Sequence, residues 1–457
     1  MTETTLPTAF RQRMHQQLGA EYPAFLDALQ QPPPVSIRVN PQKPVLPTNG
    51  LHSVPWCSAG FYLPTRPVFT LDPLFQAGAF YVQEASSMLL AEALGQTARL
   101  QRPLRVLDLC AAPGGKSTLL ASLLTPDSLL VCNEVIRSRV PVLRENLEKW
   151  GLPNVAISNH DPEDFRALNG FFDLALVDAP CSGEGLFRKD PEAMLEWSED
   201  NVRICAARQQ RILTAAAPLL CDDGLLCYST CTYNEEENLN NAAWLSEQGF
   251  EPLSLDLPDA WGVVEKTAGK AVGYQCYPNR VQGEGFFLSV FKKKQRSSPE
   301  MAVPRAFRSM KPVPNWQQKT LLSYLKNPKA FSFYVKPNGD VYAIPEAISA
   351  ELRVLDSALH NKGFGLEMGT FKGDDFIPAH ALALSTAIAE NLPAIDLTRE
   401  EAMRFFKKEN LVLDKPVKGW LLARYEGLNL GWLKGVGNRV NNYLPKEWRI
   451  RMDIKEY

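Results

Sequence analysis

Between residues 76 and about 292, short runs of apolar β-formers alternate with longer stretches of helical pattern. LRVLDLC is followed by GGKSTLLASLL, and LLVCNE by RVPVLRENLEKWG. VAISN and FDLALVDAPC come next as strands. The long helix DNVRICAARQQRILTAAAPLL then leads into the strand GLLCYSTC. EEENLNNAAWLSEQGF reads as another helix and GEGFFLSVFKKK as a final strand. Strands alternating with helices predict an α/β fold with a doubly wound, mostly parallel sheet. In such a sheet ligands bind beyond the C-terminal ends of the strands. The loops after LRVLDLC, LLVCNE, FDLALVDAP and GLLCYST therefore share one rim.

The flanking segments do not repeat this pattern. Residues 1–75 hold a helical start (FRQRMHQQLG, YPAFLDALQ) and Pro-rich turns, and read as a small N-terminal adaptor domain. Residues 76–295 form the α/β domain. Residues 296–318 are charged and Pro-rich with little periodicity, which predicts a linker. Residues 319–390, with the runs AFSFYV and VYAI, make an intermediate domain. Residues 391–457 contain one helix near TREEAMRFF and end in short Gly-, aromatic- and base-rich segments, which suit a small β-barrel-like module.

At 457 residues, 45% hydrophobic and 22% charged, the chain is an ordinary globular protein rather than a disordered or fibrous one. MTETTLPTAFRQRM lacks the apolar core of a signal peptide, and no stretch of about 18 apolar residues occurs. A cytoplasmic location is expected. Seven of the nine cysteines fall between Cys110 and Cys231 without a CxxC pair, which reads as reduced thiols and leaves a zinc site weakly supported. No metal is expected. Residues 301–457 carry 23 Lys and Arg against 17 Asp and Glu, and the surplus sits in residues 404–457. A basic end module is either a nucleic-acid handle or a solvated surface.

Three loops carry the chemistry. DLCAAPGGKS, Asp108 to Ser117, joins a strand to a helix through a turn in which Gly114 and Gly115 let the backbone approach a ligand. It matches neither the phosphate loop nor the dinucleotide fingerprint. Glu134, ending the next strand, can hold two ribose hydroxyls, so a nucleoside cofactor is favoured over ATP. Asp178 in VDAPCSG ends an apolar run. It is either a binding or proton-handling carboxylate or an ordinary strand-ending residue. Cys231 in YSTCTYNEEEN sits where amides of a following helix could lower its pKa, with Thr232 or Asn234 as cap and Glu235 to Glu237 in the first turn. A buried structural cysteine is the alternative. Cys181, a second thiol on the neighbouring rim loop, favours the reactive reading.

DLCAAPGGK, NE, DAPCSG and STCT, in that order, resemble the RNA cytosine-5 methyltransferase family, as do SIRVNPQK, QEASSM and LFRKDPEA. The likeness covers roughly residues 35 to 292. The tail GWLKGVGNRVNNYLPKEW resembles the bacterial 16S ribosomal RNA members of that family, which carry a C-terminal PUA-related RNA-binding module. The resemblance implies a class I, Rossmann-like methyltransferase fold. It implies that Cys110, Ala111, Ala112, Pro113, Gly114, Gly115 and Lys116, with Glu134, Asp161 and Asp178, bind S-adenosylmethionine. Asp161 would lie by the adenine. It further implies that Cys231 is the nucleophile and that Cys181 assists product release. Asp178 is the candidate proton donor near cytosine N3, either protonated or through water. Arg188 and Lys189 either hold RNA backbone or form a solvated pair. The expected product is 5-methylcytosine in 16S ribosomal RNA or the small subunit, made by a monomer. A transfer RNA methyltransferase, a DNA-type enzyme with Cys181 attacking, and a non-catalytic assembly factor are the competing readings.

Overall fold

The computed structural model describes residues 6–46, 48–294, 301–360, 362–409 and 411–452. Strands β1 (Val35–Val39), β2 (His52–Val54), β3 (Cys57–Leu63) and β4 (Phe80–Val82) form an antiparallel sheet in the order β2-β3-β1-β4. The helices Thr8–Leu18 and Tyr22–Gln30 precede it. They bury Phe10, Met14, Phe25 and Leu29 against Phe187, Trp197 and Tyr233 of the next unit, so this N-terminal piece is packed onto the α/β domain.

The second sheet has ten strands. Strands β5 (Arg105–Asp108), β6 (Leu129–Asn133), β7 (Val155–Ser158), β8 (Phe172–Asp178) and β9 (Leu220–Thr230) are parallel, in the spatial order β7-β6-β5-β8-β9. The chain winds outward from β5 in both directions, so the β5/β8 boundary is the topological switch point. In β6, Leu129 and Val131 belong to one core cluster and Leu130 and Cys132 to the other, which is why LLVCN reads as a continuous apolar run. Strands β10 (Phe250–Leu253), β11 (Val264–Ala268), β12 (Ala271–Cys276) and β13 (Phe286–Lys293) add an antiparallel flank beyond β9. The expected doubly wound, mostly parallel centre is therefore present, with more antiparallel edge than GEGFFLSVFKKK alone predicted.

Strands β14 (Lys311–Pro312), β15 (Phe331–Val335) and β16 (Asp340–Pro345) pair with β18 (Leu366–Lys372) and β19 (Asp375–Pro378) in a five-stranded antiparallel sheet. Strand β17 (Lys362–Phe364) leaves that sheet and pairs antiparallel with β7, extending the large sheet at its other edge. Gly365 makes the switch possible: its φ is +75°, and a Cβ there would stand 2.9 Å from the Ala343 carbonyl. The Pro-rich segment expected to be a linker is a packed strap over 301–314. Phe307 and Met310 are buried, and Phe307 stacks 5.6 Å from Phe364.

The C-terminal module is a sheet of β20 (Ala394–Asp396), β21 (Val412–Tyr425) and β22 (Leu428–Asn442), closed by the helix Arg399–Phe406. Glu426 and Gly427 both take positive φ, the turn that suits a two-residue hairpin. Among the described residues no helix is long and apolar enough to cross a membrane.

Candidate active site

Because β5, β8 and β9 are parallel neighbours, the loops after Asp108, Asp178 and Thr230 open on one side of the sheet. They enclose a cavity of about 440 Å³. Cys110, Ala111, Ala112, Pro113, Gly115, Lys116, Asp178 and Cys231 line it, and Tyr81, Gln83, Glu84 and Ser87 of the N-terminal region complete the wall. Gly114 holds φ +113° at the start of the helix Gly115–Leu123. A Cβ on Gly115 would stand 3.3 Å from the Tyr81 ring, so glycine keeps the turn tight against the cavity wall.

Asp108 is the deepest carboxylate in that wall. Its Oδ2 accepts from Ser117 Oγ at 2.6 Å, whereas Oδ1 has no partner among the described residues. Burial pushes the carboxyl up to about 7. An unsatisfied buried acceptor beside a glycine turn and a helix N-terminus fits a ligand that brings its own donors, such as the hydroxyls and ammonium of S-adenosylmethionine.

Lys116 Nζ donates to Asp178 Oδ2 at 2.8 Å, and Ser229 Oγ donates to Asp178 Oδ1 at 2.7 Å. Burial alone would lower the Lys116 ammonium. The adjacent carboxylate outweighs it, and the net shift is upward. Asp178 is thus an acceptor from two donors, and the proton-bearing member of the pair is Lys116.

The two rim thiols meet. Cys181 Sγ lies 2.8 Å from Cys231 Sγ, and the Cys231 amide donates to Cys181 Sγ at 3.3 Å. Cys231 faces the cavity, while Cys181 is outside its lining. The contact with Cys231, together with burial, holds the Cys181 thiol well above its ordinary range. Both loops are fixed from behind by carboxylates, Glu237, which the sequence suggested for a helix's first turn, and Glu184, which it did not single out. Glu237 accepts from the Ser182 amide at 3.0 Å, Asn234 Nδ2 at 2.7 Å and Gln209 Nε2 at 2.6 Å. Glu184 accepts from Arg13 at 2.6 Å, the Trp197 indole at 2.9 Å and the Tyr233 amide at 3.0 Å.

Several expectations change. The segment after Cys231 is not yet helical: the helix spans Leu239–Glu247, and Glu237 is buried rather than solvated in a first turn. Arg188 is neither an RNA contact nor a solvated charge. It bonds Glu284 at 3.0 Å, with side chains 6% and 2% exposed, and donates to Gly283 O at 2.7 Å. Lys189 is exposed at the cavity edge. Glu134 is tied to its own turn, accepting from the Ile136 amide at 2.8 Å and pairing with Arg139 at 3.3 Å. Asp161 caps the short helix Pro162–Leu168 and pairs with Arg211 at 3.0 Å. Neither Glu134, Asp161 nor Gly114 is among the residues lining the cavity.

Three family models match the chain. They are 16S rRNA methyltransferase RsmB/F over residues 97–292, the N-terminal domain of 16S rRNA methyltransferase RsmF over 6–85, and the methyltransferase RsmF PUA domain over 392–450. Ribosomal RNA small subunit methyltransferase F of Aliivibrio fischeri strain MJ11 is 32% identical, covering 97% of each chain. The protein of the same description from Escherichia coli O17:K52:H18 is 31% identical over 96% of each. Among solved structures, a methyltransferase homolog from Pyrococcus horikoshii is 28% identical with a TM-score of 0.53, covering 64% of this chain and 100% of that one.

Proposed function

The chain belongs to the ribosomal RNA small subunit methyltransferase F family, and on that premise we propose that it methylates carbon 5 of cytosine in 16S ribosomal RNA through Cys231. It is an S-adenosylmethionine-dependent RNA methyltransferase with a class I methyltransferase fold and a C-terminal PUA domain. The observation that carries the site assignment is the cavity shared by Cys231, the Lys116–Asp178 pair and the unsatisfied Asp108.

Carbon 5 of cytosine is a poor nucleophile. Addition of the Cys231 thiolate to carbon 6 moves the ring electron pair to carbon 5 and makes it an enamine carbon. Negative charge developing at N3 is met by the Lys116 ammonium, oriented by Asp178. When bound, S-adenosylmethionine supplies the activated methyl group that carbon 5 accepts. Water admitted to the cavity then takes the proton from carbon 5, the C–H electron pair restores the double bond, and Cys231 leaves as the thiolate, a departure assisted by Cys181 2.8 Å away. Cys110, Ala111, Ala112, Pro113, Gly115 and Lys116, with Asp108, would hold the cofactor, and Glu134 and Asp161, which lie outside that lining, are the residues we propose for its adenosine.

The reverse assignment, with Cys181 attacking, is disfavoured because Cys231 faces the cavity and Cys181 is held as a thiol behind it. The target cytosine must be unpaired or flipped out to reach Cys231, at a cost of about a few kcal/mol. The N-terminal region and the basic C-terminal module bind the surrounding RNA. The protein acts in the cytoplasm as a monomer, on 16S ribosomal RNA either free or within the small subunit. Bisulfite sequencing of 16S ribosomal RNA from cells with and without the chain tests this. A cytosine protected only in its presence is expected, and identical maps would end the reading.

A further inference from the structure

We infer that a second cleft, parted from the cofactor cavity by the single turn Arg137–Arg139, receives phosphates of the RNA strand whose cytosine occupies that cavity. The cleft measures about 420 Å³ and lies at the C-terminal end of β7, where β17 joins the large sheet. Arg137, Arg144, Lys362, Ser158 and Asn159 line it together with apolar residues, and no carboxylate does.

The two arginines of the partition have different fates. Arg139 lines the cofactor cavity and is committed there. Its Nη2 donates to Ala112 O at 2.6 Å, and its Nη1 lies 3.3 Å from Glu134. Arg137 lines the second cleft with no hydrogen bond or ion pair among the described residues. Arg144 has none either, although Glu148 and Glu367 lie near enough to interact with it. Burial raises both of those carboxyls, Glu148 to about 7, so they offset Arg144 less than ordinary carboxylates would.

Arg144 is also held in place. A Cβ on Gly363 would stand 3.3 Å from Arg144 Nη2, so the guanidinium rests against the backbone of β17. The third cation, Lys362, is already consumed: it pairs with Asp356 at 3.1 Å and its side chain is 6% exposed. The cleft therefore offers two guanidinium groups, the geometry that takes phosphate oxygens in pairs. The partition is only three residues long, but Cys231 follows β9 and the cleft lies at β7, four strands or about 19 Å away, so nucleotides several positions from the target reach the cleft. This assignment rests on the RNA reading above and adds a route for the strand towards the C-terminal modules.

The test is filter binding of a protein-free 16S ribosomal RNA transcript by the full chain, titrated between about 50 and 200 mM salt. Variants are Arg137→Gln, Arg137→Gln/Arg144→Gln and, at the opposite end of the sheet, Arg99→Gln. Each lost phosphate contact should flatten the slope of log affinity against log salt by about 0.7 to 0.9. The double variant should lose about twice that, and Arg99→Gln nothing. The affinity of both cleft variants for S-adenosylmethionine, read by calorimetry, should stay within about twofold, because neither arginine lines that cavity. Arg137 is exposed, so the single variant reports even if the double one does not fold. Variant slopes equal to that of a wild type that methylates RNA would overturn the cleft assignment alone. A wild type that methylates no RNA would overturn the function itself.

Discussion

Cys181 Sγ stands 2.8 Å from Cys231 Sγ, although fifty residues of chain separate them. The approach follows from the topology: β8 and β9 are parallel neighbours, so the loops leaving Asp178 and Thr230 emerge side by side. The asymmetry lies in what each sulfur faces. Cys231→Ala should abolish both methyl transfer and any covalent RNA adduct. Cys181→Ala should leave attack intact, slow turnover by about 10²- to 10⁴-fold, and accumulate an adduct visible on a denaturing gel. An adduct that vanishes in Cys181→Ala and persists in Cys231→Ala would invert the two roles.

The Lys116–Asp178 pair makes a prediction about pH. Asp178 holds the Lys116 ammonium above its ordinary range against the effect of burial. The pair's contribution is thus fully present below the unperturbed lysine value of about 10.4 and is lost as pH rises through the raised one. In Asp178→Asn burial loses its main opponent, and only the smaller effects of Cys231 and Asp108 still oppose it. The alkaline limb of the kcat/KM profile should move to lower pH, and kcat should fall by about 10²- to 10⁴-fold. A profile whose alkaline limb stays in place would detach Lys116 from the chemistry.

Asp108 predicts a trade between stability and binding. Its carboxyl is raised to about 7, above the value of about 3.9 expected when unfolded. Ionising it therefore costs the folded cofactor-free protein stability as pH rises from about 4 to 7. Asp108→Asn should melt higher than wild type at pH 8 without cofactor, yet bind S-adenosylmethionine more weakly. Wild-type affinity should rise by up to about tenfold per pH unit below 7 and level off above it. Calorimetry across pH, paired with thermal melts, reads both effects. PH-independent binding would remove Asp108 from the site.

What the sequence made legible was local. LLVCN announced a strand, and the turn DLCAAPGGKS announced a ligand beside a helix start. The unread parts depend on partners distant in the chain. The three residues of β17 have no periodicity of their own and become a strand because β7 offers an open edge 200 residues earlier. Glu237 sits in NEEEN, a string equally suited to a solvated first turn. It is buried because Ser182 and Gln209 bring it donors from other elements. Arg38, between Ile37 and Val39 in the strand VSIRV, carried a usable signal: an arginine within a buried strand demands partners.

The burial of Arg188 predicts an outcome opposite to that of an RNA contact. With Glu284 it forms an ion pair closed off from solvent, and it also bonds the Ala28 carbonyl at 3.0 Å. Glu284→Gln should cost about 3 to 5 kcal/mol by leaving a buried charge uncompensated. Arg188→Gln should lower the melting temperature without changing the salt slope of RNA binding. A flattened slope at normal stability would return Arg188 to the RNA surface.

Arg38 tests whether the N-terminal region is part of the cofactor site rather than an appendage. Its guanidinium donates to Gln83 Oε1 at 2.7 Å, Thr118 Oγ1 at 2.6 Å and Gly115 O at 3.3 Å, and it stacks 4.5 Å from the Trp150 ring. Burial lowers it to about 10, so it remains charged at neutral pH. Arg38 therefore fixes the first turn of the helix Gly115–Leu123, whose Gly115 and Lys116 line the cavity. Arg38→Ala should cost about 3 kcal/mol by stranding several buried acceptors. It should also weaken S-adenosylmethionine binding by about tenfold or more, equivalent to about 1.4 kcal/mol. Arg38→Lys keeps the charge but loses the planar fork, so it should fall between the two. RNA affinity at fixed salt should hardly move, since Arg38 is 1% exposed. A folded Arg38→Ala that melts lower yet binds the cofactor as tightly as wild type would reduce this arginine to a stability element.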